Sequence, residues 1–156
     1  MPALDLVDET FVVVDRERIA AVVADPARWT QWWPDLRLTV FMDRGLDGIR
    51  WSATGAWVGS VEIWLEPVGD GVLLHHYLRL DRPGPDGVPL PPATDPRGRR
   101  RDARARARRA TAWKRAAWAL KDELEAGRAP GTPRPDGTAG AVPRPPASTG
   151  TASPDQ

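Results

Sequence analysis

No cysteine occurs in the 156 residues of the sequence, which excludes disulfides and thiolate metal sites and leaves nothing that argues for an oxidising compartment. Asparagine is absent as well, and lysine occurs twice against twenty arginines. With the abundance of Ala, Pro and Gly, that imbalance is the mark of GC-rich coding, so a single arginine carries little weight on its own. No apolar run approaches the roughly 20 residues needed to span a bilayer. Residues 1–8 are acidic and lack the basic and apolar regions of a secretory leader, which makes a cytoplasmic location the expectation. No group of His or carboxylate residues has metal-ligand spacing, so neither a metal nor another cofactor is expected. Gly-rich phosphate loops, nucleophile elbows and paired-carboxylate motifs are missing too.

What the sequence does have is one long amphipathic stretch. Asp95 can N-cap a helix with Pro96 at its first position, and Gly127 can close the other end. Between them Ala103, Ala107, Ala110, Trp113, Ala117, Leu120 and Leu124 recur at steps of three and four, one face of a helix about 40 Å long. Such a stripe needs a broad partner surface. Beyond Gly127 the chain is Pro, Gly, Ala, Ser and Thr with almost no large apolar side chain. The domain therefore runs over residues 1–127, and 128–156 form an expected disordered tail.

The partner surface reads as a sheet. Glu9 to Val14 is a β-branched first strand. Asp15 and Asp25-Pro26 cap two short helices, the second ended by Pro34 and carrying Trp29, Trp32 and Trp33. Those indoles suit either a core wedge or a pocket wall. From Leu36 the period changes to two, with Leu36, Leu38, Val40 and Met42 on one face of a strand. Residues 49–54 form the next, and Gly55 marks a bend. Two longer strands flank Val68-Gly69-Asp70-Gly71, a two-residue hairpin turn. If Val68 opposes Gly71, then Leu65 faces Leu74, Ile63 faces His76 and Val61 faces Leu78, a buried face on which His76 is the only polar side chain. Its neighbour His75 points to the other, polar and aromatic face, so the two cannot chelate one metal.

The net charge of +1 hides an asymmetry. Residues 1–90 carry eight Arg against fourteen acidic residues, a net of −6, while Arg97 to Arg115 hold nine Arg and one Lys against Asp102 alone, a net of +9. Like charges at i,i+4 and cations near a helix N-terminus both oppose the helix. Either the acidic part of the chain balances this run, or an anionic partner, nucleic acid or a membrane surface, engages it. No aromatic residue interleaves the arginines before Trp113, which counts against nucleic acid. Trp118 lies off the apolar stripe, where Lys114 can cover it by a cation–π contact or where it marks a protein contact surface.

The order strand, two short helices, antiparallel strands and a long C-terminal helix resembles the helix-grip (Bet v 1/START-like) fold of the SRPBCC superfamily, an α+β architecture. Within that superfamily the chain is similar to actinobacterial proteins grouped as polyketide cyclase/dehydrase-like. The likeness rests on Asp25-Pro26-Ala27-Arg28-Trp29, Trp32-Trp33-Pro34, Trp64-Leu65-Glu66-Pro67, Gly69-Asp70-Gly71, Trp113-Lys114 and Ala119 to Glu125, and covers about residues 8–126. It implies a curved antiparallel sheet around the long helix, with an apolar cavity between them for a small apolar or aromatic molecule such as a lipid or a polyketide. The sequence departs from it in offering five strands where six or seven are usual. On this reading the pocket is lined by Trp33, Trp51, Ile63, His76, Trp113 and Ala117. His76 is open to three roles: a satisfied core residue, a hydrogen-bonding group that orients ligand, or the acid/base of a cyclase or aromatase. The competing reading is an interaction module acting through Arg97 to Arg115.

Overall fold

A computed structural model of the chain describes residues 1–126; Gly127 and the expected tail, 128–156, lie outside the described residues. The chain runs β1 (Leu4–Val12), α1 (Arg16–Val23), α2 (Pro26–Trp32), β2 (Leu36–Asp43), a single 3-10 turn, β3 (Gly48–Gly55), β4 (Val58–Val68), β5 (Gly71–Asp81) and α3 (Pro96–Glu125). The strands form one antiparallel sheet in the order β1-β5-β4-β3-β2, and the helices cover one of its faces.

Local chemistry sets the element ends. Asp15, Asp25 and Asp95 are the three N-caps, accepting from the backbone N–H of Arg18, Ala27 and Gly98 at 2.8, 3.0 and 3.0 Å. Each satisfies a donor that the first helical turn leaves unpaired. Ala126, at φ 48°, supplies the left-handed residue that ends α3. The β4–β5 hairpin has the expected register, with Val68 opposite Gly71 and Ile63 opposite His76. Gly69 takes a left-handed φ of 56° at the first central position, as a type II′ turn requires. At Gly59 a Cβ would fall on the Arg79 carbonyl oxygen, so β4 tolerates no side chain there.

Four sequence expectations are corrected. β1 begins at Leu4, not Glu9, because Leu4, Leu6, Asp8, Thr10 and Val12 alternate inward although two of the five are polar. On β2 only Leu36 is buried and Leu38 half-buried; Val40 and Met42, on either side of a bulge at Phe41, are exposed, since β2 is an edge strand. His75, on the outer face, is nonetheless buried, stacked on Trp64 at 4.3 Å and bonded to Glu66 at 2.8 Å. In the first half of α3 the buried face is Gly98, Asp102 and Ala105, with Arg109 half-buried; Ala103, Ala107 and Ala110 are exposed. Asp102 and Arg109 can face inward because each is paired, Asp102 with Arg82 at 3.0 Å and Arg109 with Asp35 at 2.5 Å.

The core lies between sheet and helices. Val12, Trp51, Ala53, Val61, Ile63, Leu65, Leu74, Leu78 and Leu80 meet Ile19 and Val23 of α1, Trp33 at the end of α2, and Trp113, Ala117, Leu120 and Leu124 of α3. α3 is also tied across the molecule by polar contacts. Glu125 accepts from the Val13 backbone N–H at 3.0 Å, and Glu123 holds Arg28 through two bonds of 2.9 and 2.7 Å.

Candidate functional site

Tryptophans occupy the space between the sheet and the middle of α3. Trp33 stands at the C-cap of α2, held by its backbone N–H to Trp29 at 2.8 Å. Its ring lies nearly parallel to Trp113 at 5.6 Å, and tilted against Trp51 at 5.3 Å. Trp29 meets Trp51 edge-on at 5.1 Å, and Trp32 meets both Trp33 and Trp113 edge-on at 5.6 and 5.9 Å. These are the separations at which aromatic pairs attract, roughly 0.5–1.5 kcal/mol each beyond area burial. Two of the indole N–H groups are anchored: Trp29 donates to the Val23 carbonyl at 2.7 Å and Trp113 to Asp8 at 3.2 Å. Lys114 also reaches Asp8, at 3.0 Å, together with Thr10 and the Glu9 carbonyl. Its ammonium is thus engaged by β1, and of the two readings of Trp118 the cation–π cover is not the one seen: the residue stays 54% exposed.

His76 sits beneath this cluster, 4.0 Å from and nearly parallel to Trp113. Asp8 and Ile63 oppose it on the neighbouring strands. It is 1% exposed, and neither ring nitrogen has a hydrogen-bond partner among the described residues. Burial lowers its pKa to about 3, with Arg109 acting in the same direction and Asp8 against it. The Trp51 indole N–H is likewise buried and unpartnered.

A cleft of ≈ 280 Å³ opens beside the cluster, between the end of α2 and the middle of α3. Trp32, Trp33, Trp57 and Trp113 form its walls, Ala105 and Ala112 its floor on α3, and Asp35, Arg108 and Arg109 its polar rim. Trp57 is held in place by the Arg82 guanidinium, 4.4 Å from its ring and itself bound to Asp102. Asp35 and Arg109 form a two-bond pair at 2.5 and 3.3 Å. Arg108 has no acidic partner among the described residues.

Of the six residues expected to line a pocket, Trp33 and Trp113 border the cleft. Trp51, Ile63, His76 and Ala117 lie behind them in the packed core, and none is among the cleft-lining residues. Sequence reasoning did not assign Trp57, Asp35, Arg108 or Arg109 to the site. The one available signal was Trp57 beside the Gly55 bend; the pairing of Asp35 with Arg109, 74 positions apart, leaves no local trace. Among the described residues no group of three or more His, Asp or Glu is placed to hold a metal ion, and no helix is long and apolar enough to cross a membrane.

No family model matches the sequence, and no curated protein matches it. Solved structures do. An Aha1 dimer from Colwellia psychrerythraea is similar over 81% of this chain and 99% of its own, with 15% identity and a TM-score of 0.53. A Deinococcus radiodurans protein is similar over 80% and 99%, with 12% identity and a TM-score of 0.55. The chain has the helix-grip fold. Among the described residues its sheet has five strands, and indoles fill the space between that sheet and α3. A polyketide-cyclase-like protein from Corynebacterium glutamicum, 15% identical over 81% of this chain and 96% of its own, aligns with a TM-score of 0.49.

Proposed function

We propose that the protein binds a small planar aromatic molecule bearing an anionic group, seated in the cleft between α2 and α3. The observation that supports this most is the combination of four indole walls with the unpaired guanidinium of Arg108 at the rim. Indole faces and edges favour aromatic rings, and a guanidinium matches a carboxylate bidentately. The volume is near the small end of ligand pockets, which commonly begin at about 300 Å³, and suits two or three fused rings better than a lipid acyl chain. A polyketide-like aromatic acid meets these requirements.

Binding has more support than catalysis. The acid/base candidate, His76, is outside the cleft lining, and burial keeps it neutral down to about pH 3. Asp35, the carboxylate on the rim, is already neutralised by Arg109. Cyclase or dehydrase chemistry would need one of these groups to be released.

Titration with 2-naphthoate and with its uncharged amide, followed by tryptophan fluorescence and calorimetry, tests the reading. The acid should bind about tenfold tighter, a difference of about 1.4 kcal/mol that one charge-assisted contact supplies. Arg108→Gln should abolish that preference, and Trp32→Ala should weaken both probes. The reading fails if neither probe perturbs the fluorescence at millimolar concentration, or if both variants bind as the parent does.

A further inference from the structure

The basic half of α3 is not balanced from within. Of the nine Arg and one Lys between positions 97 and 115, Arg109 is paired with Asp35 and Lys114 with Asp8. Asp102, the acidic residue of that segment, faces inward and is taken by Arg82 from the end of β5. The other eight guanidinia have no ionic partner among the described residues. Residues 127–156 carry three Arg against two Asp, so on charge they cannot neutralise the run either.

Six of the eight fall on one line. At 100° per residue Arg97, Arg100, Arg101, Arg104, Arg108 and Arg115 lie within an arc of about 100°, opposite the face that carries the buried residues Asp102, Ala105, Trp113 and Ala117. The same line continues through Thr111 to Trp118, whose indole is 54% exposed beside a shallow depression formed with Thr111, Lys114 and Arg115. From Arg97 to Trp118 the stripe is about 30 Å long at 1.5 Å per residue, with one charge every ~5 Å.

We propose that this stripe is a binding surface for single-stranded nucleic acid, with the phosphodiester backbone along the arginines and a base stacked on Trp118. A linear array of unpaired guanidinia fits a linear polyanion, and an exposed indole at its end supplies a stacking platform that every base can use. A bilayer surface fits less well, because an interfacial helix needs a broad apolar face beside its cations, and along this arc the single large apolar side chain is Trp118. The acidic sheet domain keeps the polyanion on the helix by repelling it elsewhere.

The test uses the full chain, a fluorescein-labelled oligo-dT of about 15 nucleotides, a duplex of the same length, and vesicles of mixed phosphatidylserine and phosphatidylcholine. Five or so phosphate contacts on a single strand give a log–log salt slope of about −3.5. The triple variant R97Q/R101Q/R104Q should reduce that slope by about 2, and Trp118→Ala should weaken binding about tenfold with the slope unchanged. All four side chains are exposed and none lines the cleft, so the variants should keep the parental circular dichroism and its naphthoate affinity. The proposal is overturned if oligo-dT does not bind at low salt, if the variants bind it as the parent does, if the duplex is preferred and Trp118→Ala has no effect, or if the vesicles bind and the oligonucleotide does not.

Discussion

His76 combines two properties that rarely coexist: complete burial and two unpartnered ring nitrogens. A neutral imidazole has one donor and one acceptor, and leaving both unpaired opposes folding by an amount that a shape-matched apolar residue avoids. Its folded-state pKa lies below the ordinary value, at about 3 against 6.5. Between those values the unfolded chain binds a proton that the folded chain refuses, so stability falls as pH drops from about 6.5 towards 3, by roughly 1.4 kcal/mol per pH unit at the steepest. His76→Leu should flatten that part of the profile and leave stability at neutral pH equal or higher; a denaturant midpoint series from pH 7 to pH 4 on both proteins measures it. The sequence made the location of His76 legible, since the Gly69-Asp70 turn fixes its register opposite Ile63. It did not make its isolation legible, because Asp8, opposite it on β1, is engaged by Trp113 and Lys114 from a helix more than 100 positions away.

At the level of elements, α3 turns out to be one continuous helix whose two halves are held by different means. Trp113, Ala117, Leu120 and Leu124 anchor the C-terminal half by burial, and their spacing was readable. The N-terminal half is pinned by Asp102 to Arg82 and by Arg109 to Asp35, so a search for apolar side chains alone chose the alanines on the wrong side. Asp102→Ala should loosen that half selectively. Arg82 is partly exposed, so the pair is worth about 1 kcal/mol, and amide exchange over residues 98–106 should quicken several-fold while residues 116–124 are unchanged. Equal acceleration in both segments would mean that the pair serves overall stability and not the local anchoring. The Arg28–Glu123 pair joins α2 to the C-terminal half, and the hydrogen bond from Arg28 holds Glu123 below its usual pKa. Its contribution is full above the normal glutamate range and lost as pH falls through the lowered value, a more acidic window than the onset of the His76 effect.

For the molecule as a whole, the aromatic cluster is what joins the sheet to α2 and α3. Trp33 touches Trp51 on the sheet, Trp32 on α2 and Trp113 on α3, so it joins the sheet to both helices. Trp33→Ala should cost about 3–5 kcal/mol and lower the melting temperature by roughly 10 °C or more, whereas Phe41→Ala on the exposed edge of β2 should change it little. Calorimetric melts of the two variants check the contrast. The hairpin register and the helix N-caps were legible because each depends on residues close in sequence. The cleft was not, since its rim and walls come from α2, the β3–β4 connection and the middle of α3.

The five linked indoles, Trp29, Trp32, Trp33, Trp51 and Trp113, have an optical consequence. Oblique neighbours such as Trp33 and Trp51, 5.3 Å apart at 59°, hold their transition dipoles close enough to couple, so the folded chain should show an exciton couplet in ultraviolet circular dichroism. A guest that enters the cleft and leaves the cluster packed would preserve that couplet, and one that wedges α2 from α3 would collapse it while the amide bands persist.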